Sequence, residues 1–142
     1  MALTADRRTE LLGACPLFTG LELGDLEAVA AASVEVEFPA GRVIARQGEI
    51  GTGFFIVVDG EVRVIRDGIE IARLGPGQFF GELSVLDGGP RNAKVVADAP
   101  TTCLALASWD FEHVLREEPG VALAVLRVVV ARLREVTSDH RT

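Results

Sequence analysis

Apolar and polar positions change period twice along the chain. From Ala5 to Ala14 and from Leu23 to Ala32 the apolar residues recur at helical spacing, so two helices are predicted. Thr4 is placed to cap the first, with Asp6 in its first turn and Pro16 beyond its end. Leu23, Leu26, Val29 and Ala30 form one face of the second, and Leu17 and Phe18 are expected to be buried in the turn between them. At Ser33 the period drops to two. Val34, Val36 and Phe38 alternate with Glu35 and Glu37, which predicts a half-buried strand. Further short strands are expected over 42–46, 53–58, 61–66, 69–74, 93–97 and 102–107, with hairpin signals at Asp59-Gly60 and Asp67-Gly68. Helical spacing returns at Ser108, a candidate cap, with Trp109, Phe111, Val114 and Leu115 as packing residues. Pro119 then opens a last helix to about Val136. Short strands between glycine-bearing turns, flanked by helices, indicate a mainly β sandwich or jelly roll with flanking α.

Composition narrows the function classes. A chain of 142 residues, 49% hydrophobic and 25% charged, fits one domain with a sizeable core. Its net charge of -7 argues against nucleic-acid binding, which needs a basic face, and an end at Thr142 leaves no room for a helix-turn-helix domain. The N-terminus has no apolar core that would suggest export, and Val121 to Ala131, interrupted by Arg127, is too short to span a bilayer. The expectation is therefore a cytoplasmic protein with no membrane insertion. Cys15 and Cys103 lack metal-type spacing and sit in apolar contexts, so buried thiols are expected, which suits a reducing compartment.

The chemistry concentrates in Phe79-Phe80-Gly81-Glu82-Leu83-Ser84-Val85-Leu86-Asp87-Gly88-Gly89-Pro90-Arg91-Asn92-Ala93. The apolar run after Gly81 is long enough for barely two helical turns. A helix start presents unpaired N–H groups and a positive dipole end, so Leu83, Ser84 and Val85 would offer an anion cradle. Gly81 leaves room for close approach to the backbone. Arg91, returned by the Asp87-Gly88-Gly89-Pro90 break, can fork onto phosphate oxygens. Glu82 has the wrong sign for a phosphate but suits a sugar hydroxyl. Cradle, arginine and acceptor together read as a nucleotide site.

This stretch resembles the phosphate-binding cassette of cyclic nucleotide-binding domains, with its Phe-Gly-Glu start and Pro-Arg-x-Ala end. Ala40 to Gly48 and Phe55 to Val64 are similar to the family's first strand-turn unit and its central hairpin, which extends the resemblance over about Leu17 to Leu133. The resemblance implies a double-stranded β-helix (jelly-roll) barrel over 33–107, holding the cassette at 79–93. An N-terminal helical segment, 1–32, and two C-terminal helices, 108–138, would flank it as hinge and lid. It implies that Arg91 takes the cyclic phosphate and Glu82 the ribose 2′-hydroxyl. Gly81, Leu83 and Ser84 would supply backbone groups, Phe80 the pocket wall, and Asn92 and Ala93 the strand that follows. The family usually has Ala, Ser or Thr where Asn92 stands, and a Thr there favours cyclic GMP. No other guanine-specific group is recognisable, so cyclic AMP is the favoured ligand. Family members move their N-terminal helical segment and C-terminal lid on binding, and some use the lid helix as a dimer seam.

The plainer readings differ. Glu82 and Arg91 alone would pass for a surface ion pair. Ser84 lies in no nucleophile elbow, His113 and His140 read as solvated, and a metal-dependent cupin would need more histidines, so neither catalytic residues nor a metal or cofactor is expected. The rival to a cyclic nucleotide sensor is a non-catalytic interaction domain whose pocket is degenerate or takes another small anion. In the last helix, Val121, Val125 and Val128 can pack back on the domain. Ala122, Leu126, Val129, Leu133 and Val136 follow four-three spacing, which predicts a homodimer seam. Arg127 and Arg132 are candidate polar contacts to the base, and the downstream effector is not legible.

Overall fold

The computed structural model describes residues 3–50, 53–81 and 90–139, without the side chains of Arg132 and 136–139. Helix α1 spans Ala5–Gly13, and the Thr4 hydroxyl accepts from the Arg7 N–H at 3.1 Å, so the expected cap is present. A 3₁₀ turn, Pro16–Phe18, buries Leu17 and Phe18, and α2 spans Leu23–Ala32. Val29 and Ala30 are buried as their spacing requires, but Leu23 is 66% exposed. It is the first residue of the helix.

Among the described residues eight strands follow: β1 (Val34–Phe38), β2 (Val43–Ala45), β3 (Gly53–Asp59), β4 (Val62–Arg66), β5 (Ile69–Leu74), β6 (Phe79–Phe80), β7 (Lys94–Ala97) and β8 (Thr101–Ala107). They form two antiparallel four-stranded sheets, ordered β1-β8-β3-β6 and β2-β7-β4-β5. The paired sheets are those of a jelly-roll barrel. The Asp67-Gly68 signal makes the expected hairpin. Asp67 and Gly68 have φ of 53° and 80°, and Arg66 pairs with Ile69 across a two-residue turn. The Asp59-Gly60 signal does not, because β3 and β4 belong to different sheets. Gly60, at φ 99°, is needed there for another reason. A Cβ would come within 2.6 Å of the Pro100 carbonyl oxygen, so this glycine admits the 100–101 corner rather than folding a hairpin.

The first sheet is covered on both faces. Phe54, Ile56, Leu104 and Leu106 point to the helices, where they join Leu12, Leu17, Phe18, Val29 and Phe111. Val57 and Cys103 point between the sheets, with Ala45, Val62, Phe80 and Val95. That is why β3 and β8 read as nearly continuous apolar runs. The strand β1 departs from its expected clean alternation. It is an edge strand; Val34 is 57% exposed, while Glu35 is half-buried and accepts from the Leu3 N–H at 2.7 Å. Cys15 and Cys103 are buried as expected, one in each core.

Helix α3 spans Ser108–Glu117 and α4 spans Pro119–Asp139. Ala107, not Ser108, occupies the N-cap position, and Ser108 is already helical. Phe111 and Val114 are buried, but Trp109 is 64% exposed. Helix α4 packs on the 3₁₀ turn, α3 and α2 instead of lying flat on a sheet. Val121 and Val125 are buried in the helical core and Val128 packs against it, as their spacing predicts. Leu126, Val129 and Leu133 are exposed. No helix among the described residues is long and apolar enough to cross a membrane.

Candidate functional site

Arg91 is held first by its own backbone. Its N–H donates to the Glu49 carbonyl oxygen at 2.7 Å, and its carbonyl accepts from the Gly48 N–H at 2.9 Å. An isolated bridge between Ile50 and Pro90 extends this short ladder. The Gln47-Gly48-Glu49 turn, where Gly48 has φ 85°, therefore serves as the rail on which the arginine is mounted.

The Arg91 guanidinium then runs inward. Its Cζ lies 5.9 Å from the Phe55 ring centroid, within cation–π range, and its Nη1 is buried. Phe55 stacks on Phe80 at 5.1 Å between centroids and 16° between planes. Gly81 lies directly against this group, at φ 88°. A Cβ at Gly81 would overlap Arg91 Nη1 and stand 2.7 Å from the Gly53 carbonyl oxygen. The guanidinium thus occupies the space that the absent side chain leaves. Sequence reasoning assigned Gly81 and Arg91 separately; the structure places them in contact.

Asn92 is exposed and Ala93 buried, in a bend just before β7, which starts at Lys94 rather than at the expected Ala93. The Asn92 carbonyl oxygen accepts from Arg66 Nε at 3.0 Å. Glu82, Leu83 and Ser84 lie outside the described residues. Phe55, Glu49 and Arg66 were not recognised as belonging near the site. Phe55 sits in an apolar strand with nothing local to distinguish it from core. A half-buried arginine against a stacked aromatic pair, in a chain of net charge -7, is equipped to bind a compact anion.

On the outer surface of the second sheet, Glu70 is hydrogen-bonded by Arg63 and Arg73, which hold its carboxyl below the usual range. Arg73 also meets Glu61 and Asp98, and these exposed pairs brace β4, β5 and the 98 corner rather than marking a site.

Comparison with known proteins identifies the family. The family model for the cyclic nucleotide-binding domain matches residues 35–118. The chain is 36% identical over 125 residues to the cyclic AMP receptor protein of Thermus thermophilus, covering 84% of this chain and 58% of that protein. It is 34% identical to a cyclic nucleotide-gated potassium channel of Rhizobium etli, covering 89% of this chain and 35% of the channel. The chain thus spans little more than half the length of the first of these curated relatives and about a third of the second. Among solved structures, the N-terminal domain of a transcriptional regulator from Streptomyces coelicolor superposes with a TM-score of 0.85 at 34% identity, over 93% of this chain and 96% of that one. The family match, these relatives and the barrel agree: the chain belongs to the cyclic nucleotide-binding domain family.

Proposed function

We propose that this chain is a non-catalytic regulatory sensor that binds a purine 3′,5′-cyclic monophosphate, cyclic AMP in preference to cyclic GMP, and signals through movement of α4. The observation that carries this reading is the seating of the Arg91 guanidinium in the gap at Gly81, on the face of Phe55. An arginine so placed is fixed before ligand arrives, so little ordering cost opposes its fork onto the cyclic phosphate. In this reading Gly81, Leu83 and Ser84 offer backbone groups to the phosphate and Glu82 accepts from the ribose 2′-hydroxyl. Phe80 walls the pocket, and Asn92 and Ala93 continue the phosphate strand. The preference for cyclic AMP is supported by one relative named as a cyclic AMP receptor and another named as a cAMP-activated transcriptional regulator.

The output reading draws on α4. Its first turns are buried against the 3₁₀ turn, α2 and α3, while Leu126, Val129 and Leu133 beyond them are exposed. We read this apolar stripe as the surface that changes cover when ligand binds, by pairing with a second copy or by closing over the base. The working unit runs from the N-terminal helical segment (1–32) through the barrel (33–107) to the hinge and lid (108–138), with the reducing cytoplasm as its setting.

Titration calorimetry with cyclic AMP and cyclic GMP tests the reading. Arg91→Ala should cost about 2–4 kcal/mol of binding, and Arg91→Lys should recover only part of it. Glu82→Ala and a 2′-deoxy ligand should each cost about 1–3 kcal/mol without adding. Unchanged affinity in Arg91→Ala overturns the site.

A further inference from the structure

Three side chains outside the residues assigned above close a ring of contacts around Arg91. The Arg66 Nε–H donates to the Asn92 carbonyl oxygen at 3.0 Å. Its neighbour Asp67 meets Gln47 at two points. Gln47 Nε2 donates to Asp67 Oδ1 at 2.8 Å, and Gln47 Oε1 accepts from the Asp67 backbone N–H at 2.9 Å. Gln47 directly precedes Gly48 and Glu49, whose backbones hold Arg91 on both its polar groups. The path runs from Arg91 to Gly48, Gln47, Asp67, Arg66, Asn92 and back to Arg91. Asp67 and Gly68 are the central residues of the β4–β5 turn, so the tip of that hairpin grips the segments on either side of the arginine.

These contacts are exposed, and exposed hydrogen bonds of this kind contribute little to global stability. Their effect is geometric. The rail at 47–49 is a turn, and the Gln47–Asp67 contact ties it to a strand pair that the sheet already holds firm. A fork onto phosphate loses strength with small displacements of the guanidinium, so whatever fixes the rail tunes the affinity.

We propose that Gln47, Asp67 and Arg66 are positioning residues for Arg91, and that the β4–β5 turn thereby sets cyclic nucleotide affinity. This rests on the phosphate role given to Arg91 above. Asp67→Gly keeps the left-handed backbone but removes the acceptor. Gln47→Glu sets one carboxylate against another. The double variant Gln47→Glu/Asp67→Asn restores a donor–acceptor pair with its polarity reversed. Calorimetry with cyclic AMP on the full chain, beside thermal melts without ligand, reads the outcome. Each single variant should bind about three- to tenfold more weakly with little change in melting temperature, and the double variant should return close to the parent. In an Arg91→Ala background, Gln47→Glu should have no further effect. If the parent binds and Arg91→Ala loses binding, yet both single variants bind like the parent, this inference fails and the site assignment stands. A loss of the same size with and without Arg91, or a lower melting temperature at unchanged affinity, also overturns it. A parent that binds neither cyclic nucleotide overturns both.

Discussion

Gly81→Ala separates the two demands this position makes. One is conformational: at φ 88° an L-residue is strained by about 1–2 kcal/mol. The other is spatial, because the new methyl group would meet the Arg91 guanidinium and the Gly53 carbonyl oxygen. The carbonyl belongs to β3, which is paired with β8, so it cannot yield cheaply; the arginine must withdraw. Gly77 supplies the control. It has the same φ of 88°, but a Cβ there would meet nothing within 4 Å. Gly77→Ala therefore carries the strain alone. Both variants should melt a few degrees lower, at about 2–4 °C per kcal/mol for a domain of this size. Only Gly81→Ala should also lose cyclic AMP binding, by about 2 kcal/mol or roughly thirtyfold, since the charge-assisted fork is displaced. Calorimetry gives the affinity, and the single tryptophan gives a second signal. Trp109 is exposed two residues beyond Ala107, which pairs with Gly53 beside the site. Equal affinities in the two alanine variants would show that the gap at Gly81 is not there for the arginine.

Four other outcomes are expected. Leu126→Glu/Leu133→Glu should convert a homodimer to a monomer in light scattering, and an equal monomer mass in parent and variant rules out the α4 seam. Asn92→Ala should leave the preference for cyclic AMP intact; tight cyclic GMP binding that this substitution abolishes would reverse the assigned preference. Phe18 meets Phe54 and Phe111 edge-on, each at 5.9 Å, so Phe18→Ala should cost about 3–5 kcal/mol in denaturant unfolding. Burial pushes the Cys103 thiol up to about 12, whereas an unfolded thiol titrates near 9. Stability should therefore fall as pH rises from 9 toward 12, because only the unfolded chain gives up that proton, and Cys103 should resist alkylation at pH 8 until the chain unfolds.

Much of the fold follows from local rules. Thr4, the Asp67-Gly68 turn and the Val121/Val125/Val128 stripe act through neighbours in sequence, and each behaves as its residue type dictates. The departures have a common cause in partners far along the chain. Asp59-Gly60 carries a hairpin signal, but its glycine answers to Pro100 and Thr101. Leu23 and Trp109 fit their helical stripes, yet both are exposed. At the site, Gly81 and Arg91 were legible because each has a chemical reason to be present. Phe55 was not, since an aromatic in a buried strand is ordinarily core. Nor was the Gln47–Asp67 contact, which joins two turns that are each complete on local grounds.

The shared helical core has a consequence for the order in which the molecule is made. Leu11, Leu12, Leu17 and Phe18 leave the ribosome early, but Phe111, Val114, Val121 and Val125, which complete their core, are translated only after the whole barrel. The first helices must wait through that interval with apolar faces covered at most in part by the barrel strands, and closing so long a loop is entropically slow. The helical layer that would carry the signal is thus also the last part to become whole. Deleting the first two helices would leave a chain whose barrel strands can pair, but whose α4 has lost much of its seat.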